Sequence, residues 1–181
     1  MQATAPSHED NIVWNRIIRA IHWGVVVCVV LNLVNDGDGV RLLHNIVGYV
    51  AAALVILRIC YGLFSKSEGS YYAQFTNWHL GPKKVTAFIS DELKNKSASY
   101  TGHNPLASWT YLVIWLVILS LGVTGFMMSL DAFFGEDWVE ELHEILSNGL
   151  IVLFLLHMAG MLKDAIRKKE PTWMKIIKGK L

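Results

Sequence analysis

Four long apolar runs set the plan of the chain. They cover about residues 14–34, 42–64, 106–128 and 138–162. Each is long enough to cross a bilayer, which takes roughly 20 mostly apolar residues in a helix. The connections between them are polar and carry turn and capping signals. "NDGDGVR" is rich in Gly and Asp and predicts a tight turn. The connection over residues 65–105 is long, and within it "GPKKVTAFISDELK" places Pro82 at a helix start. Val85, Phe88, Ile89 and Leu93 then recur at helical spacing. This predicts a short amphipathic helix over about 82–95, lying on the inner leaflet. In "GHNPLASW", Asn104 suits the N-cap and Pro105 the first position of the third long helix. "SLDAFFGEDWVEE" brings an aromatic cluster to the second outer turn, and the tail "KDAIRKKEPTWMKIIKGKL" is basic and partly amphipathic. No repeat or low-complexity run interrupts this. The expected fold is an all-α membrane protein: a single domain over 1–181 forming a bundle of four transmembrane helices.

Composition agrees. Hydrophobic residues make up 53% and mean hydropathy is +0.37, too apolar for an ordinary soluble domain. The opening "MQATAPSHEDN" has two acids and no basic stretch, so the first run is read as a retained span and not as a signal peptide. Cys28 and Cys60 fall inside runs one and two and read as small core residues. No CxxCH occurs, which excludes the usual covalent attachment of a c-type haem.

Charge orients the bundle. The net charge of +1 hides an asymmetry: with four spans, fifteen of the sixteen basic residues fall on the side of the two termini. The positive-inside rule therefore predicts cytoplasmic termini for a multi-pass membrane protein. Opposite, Asp36, Asp38, Asp131, Glu136, Asp137, Glu140, Glu141 and Glu144 face the single base Arg41, a net of −7. The basic side suits anionic lipid. The acidic side reads equally as a solvated loop or as a docking surface for a basic soluble protein. Nothing points to nucleic acid.

Of seven histidines, His22, His44, His143 and His157 lie inside the apolar runs. Ionisable side chains there are costly and point to function. A single neutral imidazole is explained by packing; four at matching depths are not. His143 and His157 are 14 residues apart, which is about 21 Å of helical rise and a return to within about 40° of the same face. The fourth run descends from outside to inside, so His143 is outer and His157 inner. His22 follows an inner start and His44 an outer one. Two pairs result: His22 with His157, and His44 with His143. Facing imidazoles across a bundle suit bis-histidine ligation of two haems held between the helices. Gly48 and Ser147, each four residues after a histidine, leave room for a flat macrocycle or serve as small packing residues. Filled axial positions favour electron transfer over oxygen chemistry.

The stretches "RAIHW", "LLHNIVGY", "LRICYGLF", "GHNPLASW", "LHE" and "LLHMAG" resemble the bacterial cytochrome b561 family, over about residues 11–179. More narrowly, they resemble the subgroup related to the b-type cytochrome subunit of nickel–iron hydrogenases. The resemblance implies a di-haem b cytochrome working between the quinone pool and a redox partner, with ligands at His22, His44, His143 and His157. It also suggests a periplasmic c-type cytochrome as partner, which the acidic face suits. The chain is shorter than hydrogenase cytochromes usually are and carries no mark of a hydrogenase contact.

Haem propionates need basic or hydrogen-bonding partners. Arg19 and Arg58, with Arg16 behind them, are the inner candidates, and Arg41 is the outer one. Each reads equally as an interface anchor. His103, at the start of the third long helix, suits a propionate bond, proton relay to a quinone or a capping role. His79 in "NWHLGP" is a weaker candidate. Trp109 and Trp115 suit stacking near a haem or plain core packing. Three other functions compete: a superoxide:quinone oxidoreductase, a membrane-anchor cytochrome subunit of a larger dehydrogenase or hydrogenase, and a haem-free metal or proton carrier. A −7 face disfavours attraction of superoxide, and two histidine depths disfavour a single metal site.

Overall fold

The computed structural model describes residues 14–35, 40–65, 71–94, 104–169 and 171–179. Six α-helices follow one another: α1 (Arg16–Val34), α2 (Arg41–Phe64), α3 (Pro82–Leu93), α4 (Pro105–Met127), α5 (Asp137–Lys168) and α6 (Met174–Lys178). No strand occurs among the described residues. α1, α2, α4 and α5 are long and apolar enough to cross a membrane. Their large apolar side chains are widely exposed, Val34 at 70%, Leu116 at 64% and Ile145 at 66%. In water such a surface would drive aggregation; in lipid it is the solvated face. The four-helix membrane bundle expected from the hydrophobic pattern is the fold.

The helix starts follow from local chemistry. Asn104 Oδ1 accepts from the Ala107 N–H at 2.7 Å, with Pro105 first in α4. Asn15 does the same for α1, accepting from the Ile18 N–H at 3.0 Å. Pro82 opens α3. α5 runs six residues past the expected end at 162, to Lys168. Hydropathy ends where lipid ends, but the helix continues because its basic last turns find partners.

The chain divides into two compact units, and α1, α2, α4 and α5 each contribute to both. One comprises, of the described residues, 14–19, 59–65, 71–94, 104–112, 157–169 and 171–179. Here α3 is tied to α5 by Glu92, whose carboxylate accepts from Lys163 at 2.6 Å and Arg167 at 2.5 Å. Phe88 is buried, whereas Ile89 and Leu93 remain 43% and 81% exposed. This leaves part of the apolar face of α3 open. Residues 71–80 are held by side chains that satisfy backbone: Trp78 Nε1 donates to Tyr72 O at 3.0 Å, and Asn77 Nδ2 to Tyr71 O at 2.8 Å. The C-terminal α6 is latched to the start of α1. The Trp14 N–H donates to Gly179 O at 3.2 Å, and the Arg19 guanidinium donates to the carbonyls of Ile176 and Ile177. A cation on the last carbonyls of a helix also opposes its dipole. Gly179 has φ +79°, and a Cβ there would lie 2.6 Å from Trp14 O.

The other unit comprises 20–35, 40–58 and 113–156. Its core holds Cys28, Ala51, Val55, Ile118, Val139 and Leu150. The helices approach closely at glycine. A Cβ on Gly122 of α4 would lie 3.1 Å from Ala52 Cβ on α2, and one on Gly48 of α2 would lie 3.2 Å from Asn32 Nδ2 on α1. Small residues at such crossings let membrane helices pack by van der Waals contact. In the second turn, Phe133 and Trp138 meet edge to face at 6.1 Å.

Candidate functional site

Within the second unit α2 and α5 bring the rings of His44 and His143 close together, with their planes tilted by 56°. Their ring centres are 6.3 Å apart. Two imidazoles on opposite sides of one metal, each bonded at about 2.0–2.1 Å, have ring centres roughly 6.2–6.4 Å apart. The spacing fits two axial ligands of one iron. The rings border a cleft whose lining includes Asn32, Gly48, Gly122, Gly125 and Ser147. Gly48 and Ser147, singled out by spacing from their histidines, thus lie where a macrocycle needs room. Asn32 Oδ1 is buried with no hydrogen-bond partner, an orphan acceptor beside that space.

Both rings are held at Nδ1. His44 Nδ1 lies 3.3 Å from the Asn35 carbonyl oxygen, which can only accept. A hydrogen bond here requires the Nδ1–H form of His44, which in a neutral ring leaves the Nε2 lone pair bare. His143 Nδ1 lies 2.7 Å from Thr124 Oγ1 on α4. Among the described residues no group of three or more His, Cys, Asp or Glu could hold a bare metal ion. Two imidazoles suffice when a porphyrin supplies the other four nitrogens.

The two inner-pair histidines fall in different units. His22, on α1 in the second unit, meets Trp23 edge-on at 5.4 Å. His157, on α5 in the first, has its ring centre 5.4 Å from Tyr111, which in turn stands 6.4 Å from buried Trp78.

Among the arginines, Arg19 directs its Nε and one terminal nitrogen at the carbonyls of α6. Arg58 is 6% exposed and its guanidinium carbon sits 5.2 Å from the centre of the Trp115 ring, a cation–π contact. Arg41 is exposed at the first position of α2. Trp109 donates from Nε1 to the Leu80 carbonyl at 3.2 Å. His79 is half-buried; burial, then the charge of Lys84, holds its ring below the usual histidine pKa. His103 lies outside the described residues.

Thr124, Asn35, Asn32 and Tyr111 were not singled out by the sequence. A threonine in an apolar run reads as a packing residue bonded to its own helix, and its partner is 19 residues away on another helix.

Four apolar spans, two of which bring His44 and His143 close together, define the class as a multi-pass membrane protein. The chain belongs to the prokaryotic cytochrome b561 family, whose model matches residues 13–179. It is thus a multi-pass bacterial membrane protein of electron transfer, in a family that binds b-type haem. Comparison with curated proteins gave no match, and comparison with solved structures gave none.

Proposed function

We propose that this chain is a di-haem cytochrome b of the inner membrane, carrying electrons between the quinone pool and a periplasmic redox partner such as a basic c-type cytochrome. His44 and His143 would hold the outer haem, and His22 and His157 the inner one. The observation that carries the reading is the His44–His143 separation of 6.3 Å. Iron between two imidazoles supplies reversible one-electron transfer with no open coordination position. The chain's part is to present neutral imidazoles, exclude water and neutralise propionates. Arg41 stands three residues before His44 and Arg58 is buried within α2; both are candidates for the last role, together with Arg19 and His103. Both termini are assigned to the cytoplasm by the basic residues that collect on their side.

The acidic turn and the start of α5 support docking of a basic partner. Glu136, Asp137, Glu140 and Glu141 are all exposed and would steer its approach. The same charges disfavour the superoxide:quinone oxidoreductase reading. An anchor-subunit role shares the haem chemistry and differs only in partner. The test is quinol-driven reduction of a basic c-type cytochrome by the protein in liposomes. Neutralising those four acids should slow the reaction at low salt, and added salt should erase the difference. An unchanged low-salt rate removes the docking role. No reduction by quinol at all removes the quinone link.

A further inference from the structure

We propose that Thr124 is the positioning residue for His143: its hydroxyl oxygen accepts a hydrogen bond from the Nδ1–H of His143 and so turns the Nε2 lone pair toward iron. The inference deepens the reading of His143 as an axial ligand and rests on it.

Thr124 is 4% exposed. Its Oγ1 lies 2.7 Å from His143 Nδ1, 3.0 Å from the Ser120 carbonyl oxygen and 3.2 Å from the Leu121 carbonyl oxygen. A hydroxyl has one proton to give and two lone pairs to receive, whereas a carbonyl only receives. The hydroxyl proton therefore goes to the carbonyls of its own helix, and the short contact to His143 is filled by the ring N–H. The reverse arrangement would spend the hydroxyl proton on Nδ1 and move the ring proton to Nε2, which blocks that nitrogen as a ligand. The polarised chain of ring N–H, hydroxyl and helix carbonyl also strengthens each link.

The next residue completes the seat. Gly125 has no side chain, and a Cβ there would stand 3.6 Å from His143 Cε1. α4 thus offers the ring an acceptor at one position and a bare backbone at the next. Threonine is also stiff at χ1, so the acceptor is held in place before haem arrives. His44, on the opposite side, reaches the same protonation state through the Asn35 carbonyl. Both partners are uncharged acceptors.

A partner of this kind typically matters 10–100-fold for metal retention. A more basic ligand favours the oxidised iron. Losing a tenfold preference for that state raises a one-electron midpoint by about 59 mV. The test combines haem content, redox titration and electron paramagnetic resonance of purified wild type, Thr124→Val, Thr124→Ser and His143→Ala. His143→Ala should lose one of two haems. Thr124→Val should either raise the midpoint of that same haem and alter its resonance signature, or lose it roughly tenfold more readily. Thr124→Ser, which keeps the hydroxyl, should restore wild-type values. If Thr124→Val matches wild type in content, midpoint and signature, or if Thr124→Ser behaves like Thr124→Val, the role of Thr124 is refuted. If His143→Ala keeps both haems, the ligand reading fails, and this proposal with it.

Discussion

Glu92→Gln probes the fastening of α3 to α5. The carboxylate is 18% exposed and meets Lys163, 63% exposed, at 2.6 Å and Arg167, 24% exposed, at 2.5 Å. The lysine arm is mostly in water and contributes at most about 1 kcal/mol. The arginine arm is partly shielded, and a hydrogen bond to a charged group contributes about 1.5–3 kcal/mol. Glutamine keeps one acceptor oxygen but no charge, so the expected loss is about 1–2 kcal/mol, a factor of roughly 5–30 in a local equilibrium. Hydrogen exchange of the α3 amides in detergent or nanodiscs reads that factor directly, because α3 opens without the four long helices unfolding. pH gives a second check. The hydrogen bond from Lys163 leads in holding the Glu92 carboxyl below the usual carboxylate range. The charges of Lys163 and Arg167 add to it, against an opposing effect of burial. A depressed carboxylate stabilises at pH above its ordinary value of about 4.3 and loses that contribution as pH falls through its lowered value. Protection of α3 in the wild type should therefore hold down to about pH 4 and fall below it, while Glu92→Gln is weakened throughout. Equal α3 exchange in the two proteins at neutral pH would refute the idea that this carboxylate fastens α3.

Gly179→Ala puts a Cβ into a left-handed backbone and 2.6 Å from Trp14 O; a cost of about 1–2 kcal/mol from backbone conformation alone should free α6, read as faster proteolysis of the C-terminal segment. Gly122→Val should lower the thermal stability of haem binding, because its first carbon already lies 3.1 Å from Ala52 Cβ. Gly125→Ala should be tolerated at 3.6 Å from His143 Cε1, and equal stability of these two variants would contradict the packing described for α4.

The hydrophobic pattern carried the four spans to within about two residues at every end but the last of α5, since lipid imposes length and apolarity on each helix separately. Asn104 and Pro105 were legible for the same reason: a cap depends on its own turn. Residues whose partners lie far along the chain were not. Nothing near Arg19 in the chain foretells its bonds to carbonyls more than 150 residues away. The overrun of α5 to Lys168 depends on Glu92, some 70 residues earlier. Thr124 became visible only once α4 packed beside α5. His44 and His143 were legible because a buried imidazole in lipid is costly enough to stand out alone.

The most direct test of the central claim is haem per chain, measured by pyridine haemochrome on the purified protein and on His44→Ala and His157→Ala. Two b-type haems are expected in the wild type and one in each variant, with a different haem lost in each. One haem in the wild type, or loss of both haems from a single substitution, would contradict the two pairs, and a protein that binds no haem would contradict the cytochrome reading of these histidines altogether.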